Sequence, residues 1–104
     1  MVQELKILDE FDNCIKDNKL VVVDFTATWC PPCQRIKPVF HALPNEFPEI
    51  TFVQVDVDEN ADAAGKAGVQ CMPTFKFYKD GAEVDKLEGA SEEQLRAKSN
   101  ALKN

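Results

Sequence analysis

Long apolar stretches are missing from this 104-residue chain. The longest purely apolar run, Leu20 to Val23, is far too short to span a bilayer, which takes about 20 residues as a helix. Cations are scarce as well: 12 Lys and Arg stand against 18 Asp and Glu, for a formal charge of -6. That balance argues against nonspecific nucleic-acid binding, which needs cations to displace counterions from phosphates. It equally disfavours an anionic membrane surface. No internal repeat, low-complexity tract or Ser/Gly-rich linker divides the chain. The stretch from Met1 to Leu8 carries Glu4 and Lys6 within its only apolar segment, so it resembles neither a signal peptide nor an Arg-rich transit segment. Either the chain is a mature fragment or it stays where it is made; the second gives the cytoplasm as the expected location, where a dense framework of structural disulfides is not expected. What remains is 44% hydrophobic and 29% charged. Residues 1–104 are read as a single compact domain, too short for two.

The elements follow from spacing. Val2 to Leu8 reads as a short strand, and Asp9 as the cap of a helix whose apolar side holds Phe11, Cys14 and Ile15. Leu20 to Ala27 has the near-continuous apolar character of a strand buried on both faces. After Pro32 the apolar residues Ile36, Val39, Phe40 and Leu43 fall at helical offsets. Pro38 is expected to kink that helix and Pro44 to end or break it. Ile50 to Val57 is β-rich, and Asn60 to Ala67 is a weak helix stopped by Gly68. Thr74 to Tyr78 and Glu83 to Leu87 are strands joined at Lys79-Asp80-Gly81, a strong hairpin signal. Ser91 and Gln94 open a last helix with a capping box. Its stripe is poor: Lys98 and Ser99 interrupt Leu95 and Leu102, so weak docking is expected. The order β-α-β-α-β-α-β-β-α implies an α/β fold with a mixed sheet and helices on both faces.

The chemistry concentrates between Asp24 and Cys33. A buried strand runs into a turn, and Cys30 and Cys33 straddle the start of a helix. Two intervening residues, Pro31 and Pro32, bring the sulfurs close enough to join. The helix N-terminus presents free N–H groups and partial positive charge to Cys30, which favours the nucleophilic thiolate. Cys33, one turn deeper, fits a resolving thiol. A zinc site would need further ligands. The chain has no second C-x-x-C, its one histidine, His41, sits two turns beyond Cys33, and Cys14 and Cys71 are isolated. No metal is expected. Asp24 follows three valines. Desolvation there would raise its pKa and suit it to exchange a proton with Cys33; the competing reading is an exposed Asp at a strand end. Pro73 by itself reads as a strand-initiating proline. Trp29 reads either as core or as a flat apolar surface beside the nucleophile. Cys14 reads as helix packing and His41 as a helix-surface residue.

The run Val21 to Cys33, with Ile36-Lys37-Pro38, Val55-Asp56-Val57-Asp58, Cys71-Met72-Pro73-Thr74-Phe75, Lys79-Asp80-Gly81 and Glu88-Gly89-Ala90, resembles the thioredoxin family. The likeness covers essentially the whole chain and is strongest to the animal cytosolic type. It implies a thioredoxin fold, a five-strand mixed sheet flanked by four helices. It implies a protein-disulfide reductase with no bound cofactor, drawing electrons from NADPH through a separate flavoprotein reductase. Cys30 would be the attacking thiol and Cys33 the resolving one. Asp24 would be the buried acid, with Lys37 near it. The Met72–Pro73 bond would be cis and face the cysteines, exposing the residue-72 backbone to a peptide substrate. Thr28, Trp29, Met72, Pro73, Gly89 and Ala90 would line the substrate groove, and Asp58 would lie by the tryptophan. Cys71 matches a cysteine that in animal relatives bridges two molecules or takes regulatory modifications; its other reading is a small semi-exposed apolar residue. The expected partners are thioredoxin reductase and disulfide-containing proteins, with the protein a monomer or a dimer linked through Cys71.

The chain departs from the family in three places. Pro31-Pro32 replaces the usual Gly-Pro, which removes an N–H near the Cys30 sulfur and is expected to change the redox potential. Pro44 interrupts the second helix, and Ser99 replaces an apolar residue in the last. Both point to lower stability. Other functions remain open: an oxidase or isomerase of the same fold, or a non-catalytic binding module. Retention of Cys30, Cys33, Asp24, Trp29 and Pro73 weighs against a pure scaffold. The lack of an Arg/Lys cluster beside the cysteines weighs against glutathione-linked chemistry.

Overall fold

The computed structural model describes residues 2–104. Nine elements follow the expected order: β1 (Gln3–Glu4), α1 (Leu8–Asp17), β2 (Leu20–Thr26), α2 (Pro31–Glu46), β3 (Thr51–Asp56), α3 (Ala61–Ala67), β4 (Thr74–Lys79), β5 (Ala82–Glu88) and α4 (Glu92–Leu102). The strands form one sheet in the order β1-β3-β2-β4-β5. β1, β3 and β2 run parallel, and β4 and β5 are antiparallel to their neighbours. This is the mixed five-strand, four-helix arrangement that the thioredoxin resemblance implies.

β2 is the central strand because it is apolar on both sides; all seven of its residues are buried. Successive side chains point to opposite faces. Leu20 and Val22 join Ile36, Phe40 and Leu43 of α2 and Leu95 and Leu102 of α4 in one core layer. Val21, Val23 and Phe25 join Phe11 and Ile15 of α1 and Ala63 and Ala64 of α3 in the other. A hairpin turn at Asp80-Gly81, both at positive φ (53° and 85°), closes β4 onto β5. A two-residue loop of that conformation matches the twist of the strands it joins.

Several expectations are corrected. The first strand is much shorter than Val2 to Leu8: only Gln3 and Glu4 pair with β3, because β1 is an edge strand and the chain is helical from Leu8. Ile7, not Asp9, is the N-cap of α1, and it makes no side-chain cap bond. Glu10 compensates by accepting the Lys6 N–H at 2.6 Å. α2 neither ends nor breaks at Pro44; it runs through Pro38 and Pro44 to Glu46. Each proline deletes one helical hydrogen bond, but Pro38 is exposed and Pro44 only half-buried, while Cys33, Ile36, Phe40 and Leu43 are buried. Apolar burial along that stripe outweighs the lost bonds.

α4 is also seated more completely than its pattern suggests. Leu95, Ser99 and Leu102 are all buried, and the Ser99 hydroxyl donates to Leu95 O at 2.8 Å. Lys98, which interrupts the stripe, reaches Asp85 at 2.9 Å, and Arg96 pairs with Glu46 of α2 at 2.9 Å. Ser91 caps the helix as expected, accepting the Gln94 N–H at 3.2 Å. Gly68 ends α3 in the left-handed conformation at φ 73°.

Candidate active site

β2 ends at Thr26, whose carbonyl accepts the Val57 N–H at 2.9 Å. Ala27 to Cys30 then form a short loop, and Pro31 begins α2. Proline suits that first turn because its missing N–H would have no helical partner anyway. Cys30 is the N-cap of α2, and its sulfur accepts the Cys33 N–H at 3.3 Å. The two cysteines are joined as a disulfide, with their Cα atoms 5.3 Å apart. Both are buried, and they pack with Ala27 against half-buried Val57 and Met72. With prolines at both preceding positions, Cys33 supplies the first backbone N–H of the helix, and that N–H is spent on the Cys30 sulfur.

Asp24 lies on β2 opposite Gln54 of β3 and Phe75 of β4. It follows Leu20 and Val22 on the face covered by α2, and it is 1% exposed. The exposed strand-end reading is thereby excluded. Burial pushes its pKa up to about 7, and the Lys37 charge on α2 partly opposes this. Among the described residues, Asp24 Oδ1 is the buried side-chain oxygen or nitrogen that finds no hydrogen-bond partner. An oxygen with no donor, taken out of water, disfavours the charged form, so the carboxyl keeps its proton to higher pH than an exposed one. Lys37 is exposed and lines a polar cavity of about 230 Å³ with Thr26, Thr28, Gln34, Gln54 and Asp56.

Trp29 is 64% exposed, so the core reading fails. Its indole Nε1 donates to Asp58 at 2.7 Å, a bond between the loop after β2 and the loop after β3. Thr28 beside it is exposed. The Met72–Pro73 bond is cis, and the Pro73 carbonyl accepts the Gly89 N–H at 2.9 Å. Gly89 has φ 110°, which favours glycine there. Ala90 is exposed and borders a shallow cleft with Arg35, Ile36 and Val39. The loops carrying Trp29, Asp58, Met72 and Gly89 all lie at the end of the sheet where β2 gives way to α2.

Cys71 is exposed. A hydrogen bond to Glu88, with a little burial and the Glu88 charge, holds its thiol above the usual value. Cys14 packs half-buried against the α1 layer, as expected, and burial raises its pKa. His41 sits exposed on α2, 3.3 Å from Gln54 Oε1. The candidate cation ligands among the described residues are Glu4, Asp56 and Glu59, with oxygens within 4.8 Å of one another. Glu59 hydrogen-bonds Glu4, which pushes its pKa up; no cysteine or histidine joins them. A cavity of about 510 Å³ lies at the hairpin end, between α1, α3 and Gly81. It is remote from the cysteine pair, so its size does not mark it as the redox site.

Sequence reading missed two residues that build this region. Gln34 donates its side-chain amide to Ala27 O at 2.9 Å. Asn60 caps α3 and also donates to Leu5 O at 3.1 Å, tying β1 to the loop that carries Asp58. An Asn before an Ala-rich helix was a readable cap signal. Nothing in the local pattern marked Gln34.

A thioredoxin family model matches residues 3–101. The chain belongs to the thioredoxin family. It is 52% identical to a thioredoxin of Geodia cydonium over 101 residues, covering 94% of this chain and 95% of the relative. It is 46% identical to that of Oryctolagus cuniculus over 104 residues, covering 98% and 99%. Among solved structures, Plasmodium falciparum thioredoxin superposes with a TM-score of 0.94 at 40% identity, covering 96% of this chain and 98% of that one. Fasciola hepatica thioredoxin gives 0.93 at 46% identity, with the same coverage. Thioredoxins are protein dithiol–disulfide oxidoreductases that need no cofactor of their own, and this one carries the pair for that chemistry in Cys30 and Cys33.

Proposed function

We propose that this thioredoxin works as a reductase in which Cys30 attacks and Cys33 resolves. In the reduced form the Cys30 thiolate attacks one sulfur of a substrate disulfide. A bond forms between Cys30 and that sulfur, and the substrate's other sulfur leaves as a thiolate and takes a proton. Cys33 then gives its proton to the Asp24 carboxylate and attacks the Cys30 sulfur. The Cys30–Cys33 disulfide forms as the bond between Cys30 and the substrate breaks, and the second substrate sulfur departs as a thiolate that takes a proton from water. Two electrons have passed from the pair to the substrate. The observation that carries this reading is the Cys30 sulfur at the start of α2, accepting the Cys33 N–H, beside exposed Trp29.

The electrons are proposed to come from NADPH through a separate flavoprotein reductase. Thr28, Trp29, Met72, Pro73, Gly89 and Ala90 form the proposed substrate surface. The proposed compartment is the cytoplasm, whose reducing poise suits a pair that acts as reductant. Cys71 is proposed as a bridge in an oxidised dimer. Its exposure supports this, and Glu88 slows it by keeping the thiol protonated. Non-reducing electrophoresis of Cys71→Ser after oxidation, with no dimer band, is the expected result.

The deciding experiment is insulin reduction with NADPH and a thioredoxin reductase. NADPH is consumed with the wild type and not with Cys30→Ser, and Cys33→Ser traps a mixed disulfide on Cys30. Oxidation of reduced substrates without reduction of insulin would favour the oxidase reading instead.

A further inference from the structure

We propose that Gln34 is a positioning residue of this site, whose side-chain amide fixes the Ala27–Cys30 loop and so the face that Trp29 offers to a protein disulfide. The inference rests on the reductase reading above.

Ala27 is completely buried, one residue beyond the last sheet bond of β2. Its carbonyl has left the sheet and needs donors elsewhere, because a buried carbonyl without one is costly. It has two. The Cys30 N–H reaches it at 3.3 Å and Gln34 Nε2 at 2.9 Å. A carbonyl only accepts, so the group facing it from Gln34 is the NH₂. The Gln34 backbone N–H also donates to Cys30 O at 3.1 Å. Gln34 therefore grips the loop at both ends, by its side chain at Ala27 and its main chain at Cys30.

The prolines leave the second donor to a side chain. Pro31 and Pro32 have no N–H, and the Cys33 N–H is used by the Cys30 sulfur. The first turn of α2 has no further backbone donor to offer Ala27. Between the two grips lie Thr28 and Trp29, both exposed. Trp29 has a tether at the tip of its ring, the bond to Asp58. The Gln34 amide supplies the other, at the root of the loop. With the root of the loop held as well, the ring has less freedom to swing about the bond at its tip.

The test uses Gln34→Met, which keeps length and removes the donor, and Gln34→Lys, which returns a donor on a long stem. Trp29 is the sole tryptophan, so its fluorescence reports the loop directly. For Gln34→Met we expect KM for insulin to rise about fivefold, the scale of one hydrogen bond. The kcat should change less than KM, and acrylamide should quench Trp29 more readily. Gln34→Lys should restore both. Wild-type KM and quenching in Gln34→Met would overturn the proposal. So would a fall in kcat with KM unmoved, which would place the effect on Cys30 instead of the docking face. If the unaltered protein fails to reduce insulin, the reductase reading fails, and Trp29 quenching decides the clamp by itself.

Discussion

Asp24 carries an ionisation that works against the fold. In the unfolded chain it ionises at an ordinary value near 3.8; buried in the protein it does so at about 7. Between those values the folded state holds a proton that the unfolded chain has lost. Stability therefore falls as pH rises from about 4 to 7 and levels off above that. A gap of roughly three pH units corresponds to about 4 kcal/mol. Asp24→Asn should recover up to that amount at pH 8 and flatten the pH profile, read from urea midpoints. It should also slow release of substrate from a Cys30 mixed disulfide roughly tenfold or more at pH 7, as expected for loss of a positioned proton acceptor. Unchanged release would remove Asp24 from the proton path. Pro31 is the other informative position. Pro31→Gly returns an N–H to the turn that now gives the Cys30 sulfur a single backbone donor. The Cys30 thiol of the reduced protein should then titrate at lower pH, as followed by thiolate absorbance or alkylation rate.

Helices α2 and α4 show how burial overrides local preference. Pro44 in a helix and Lys98-Ser99 in an apolar stripe are unfavourable locally, yet both helices form. Each lays its large residues on the same core layer: Ile36, Phe40 and Leu43 from one, Leu95 and Leu102 from the other. The Ser99 hydroxyl is tolerated in that layer because the carbonyl one turn back accepts its proton. That bond competes with the helix more than it supports it. Ser99→Ala should raise stability by about 0.5 kcal/mol, since alanine is the better helix former and leaves the Leu95 carbonyl its backbone partner. A lower denaturation midpoint would show that the hydroxyl itself holds the layer together.

Both core layers hang on β2. Val22 faces one and Val23 the other, and each is completely buried. Neither layer can open without exposing the strand between them. Val22→Ala and Val23→Ala should each cost about 2 kcal/mol through lost burial and a residual cavity. Each should shift one transition, with far-UV circular dichroism and Trp29 fluorescence coincident. Separate transitions by the two probes would show that the layers fold independently. This rigidity also serves the site. Asp24, the loop with Trp29, and Cys30 follow one another from the same strand, so they are placed by the most completely buried segment of the molecule.

The linear order of residues was enough for much of this. The buried strand, the cysteine pair at a helix start, the hairpin and the cap at Ser91 depend on neighbours a few residues apart. Their physics is local, so their signal is local. The tertiary structure alone decided where helices end against their propensity, because that depends on how much apolar surface the sheet can cover. It also settled that Asp24 is buried and Trp29 exposed, since burial is set by what packs from other elements. Gln34 belongs to the same class. A glutamine on a helix surface is ordinary until the carbonyl of Ala27, seven residues back, leaves the sheet within reach of its amide.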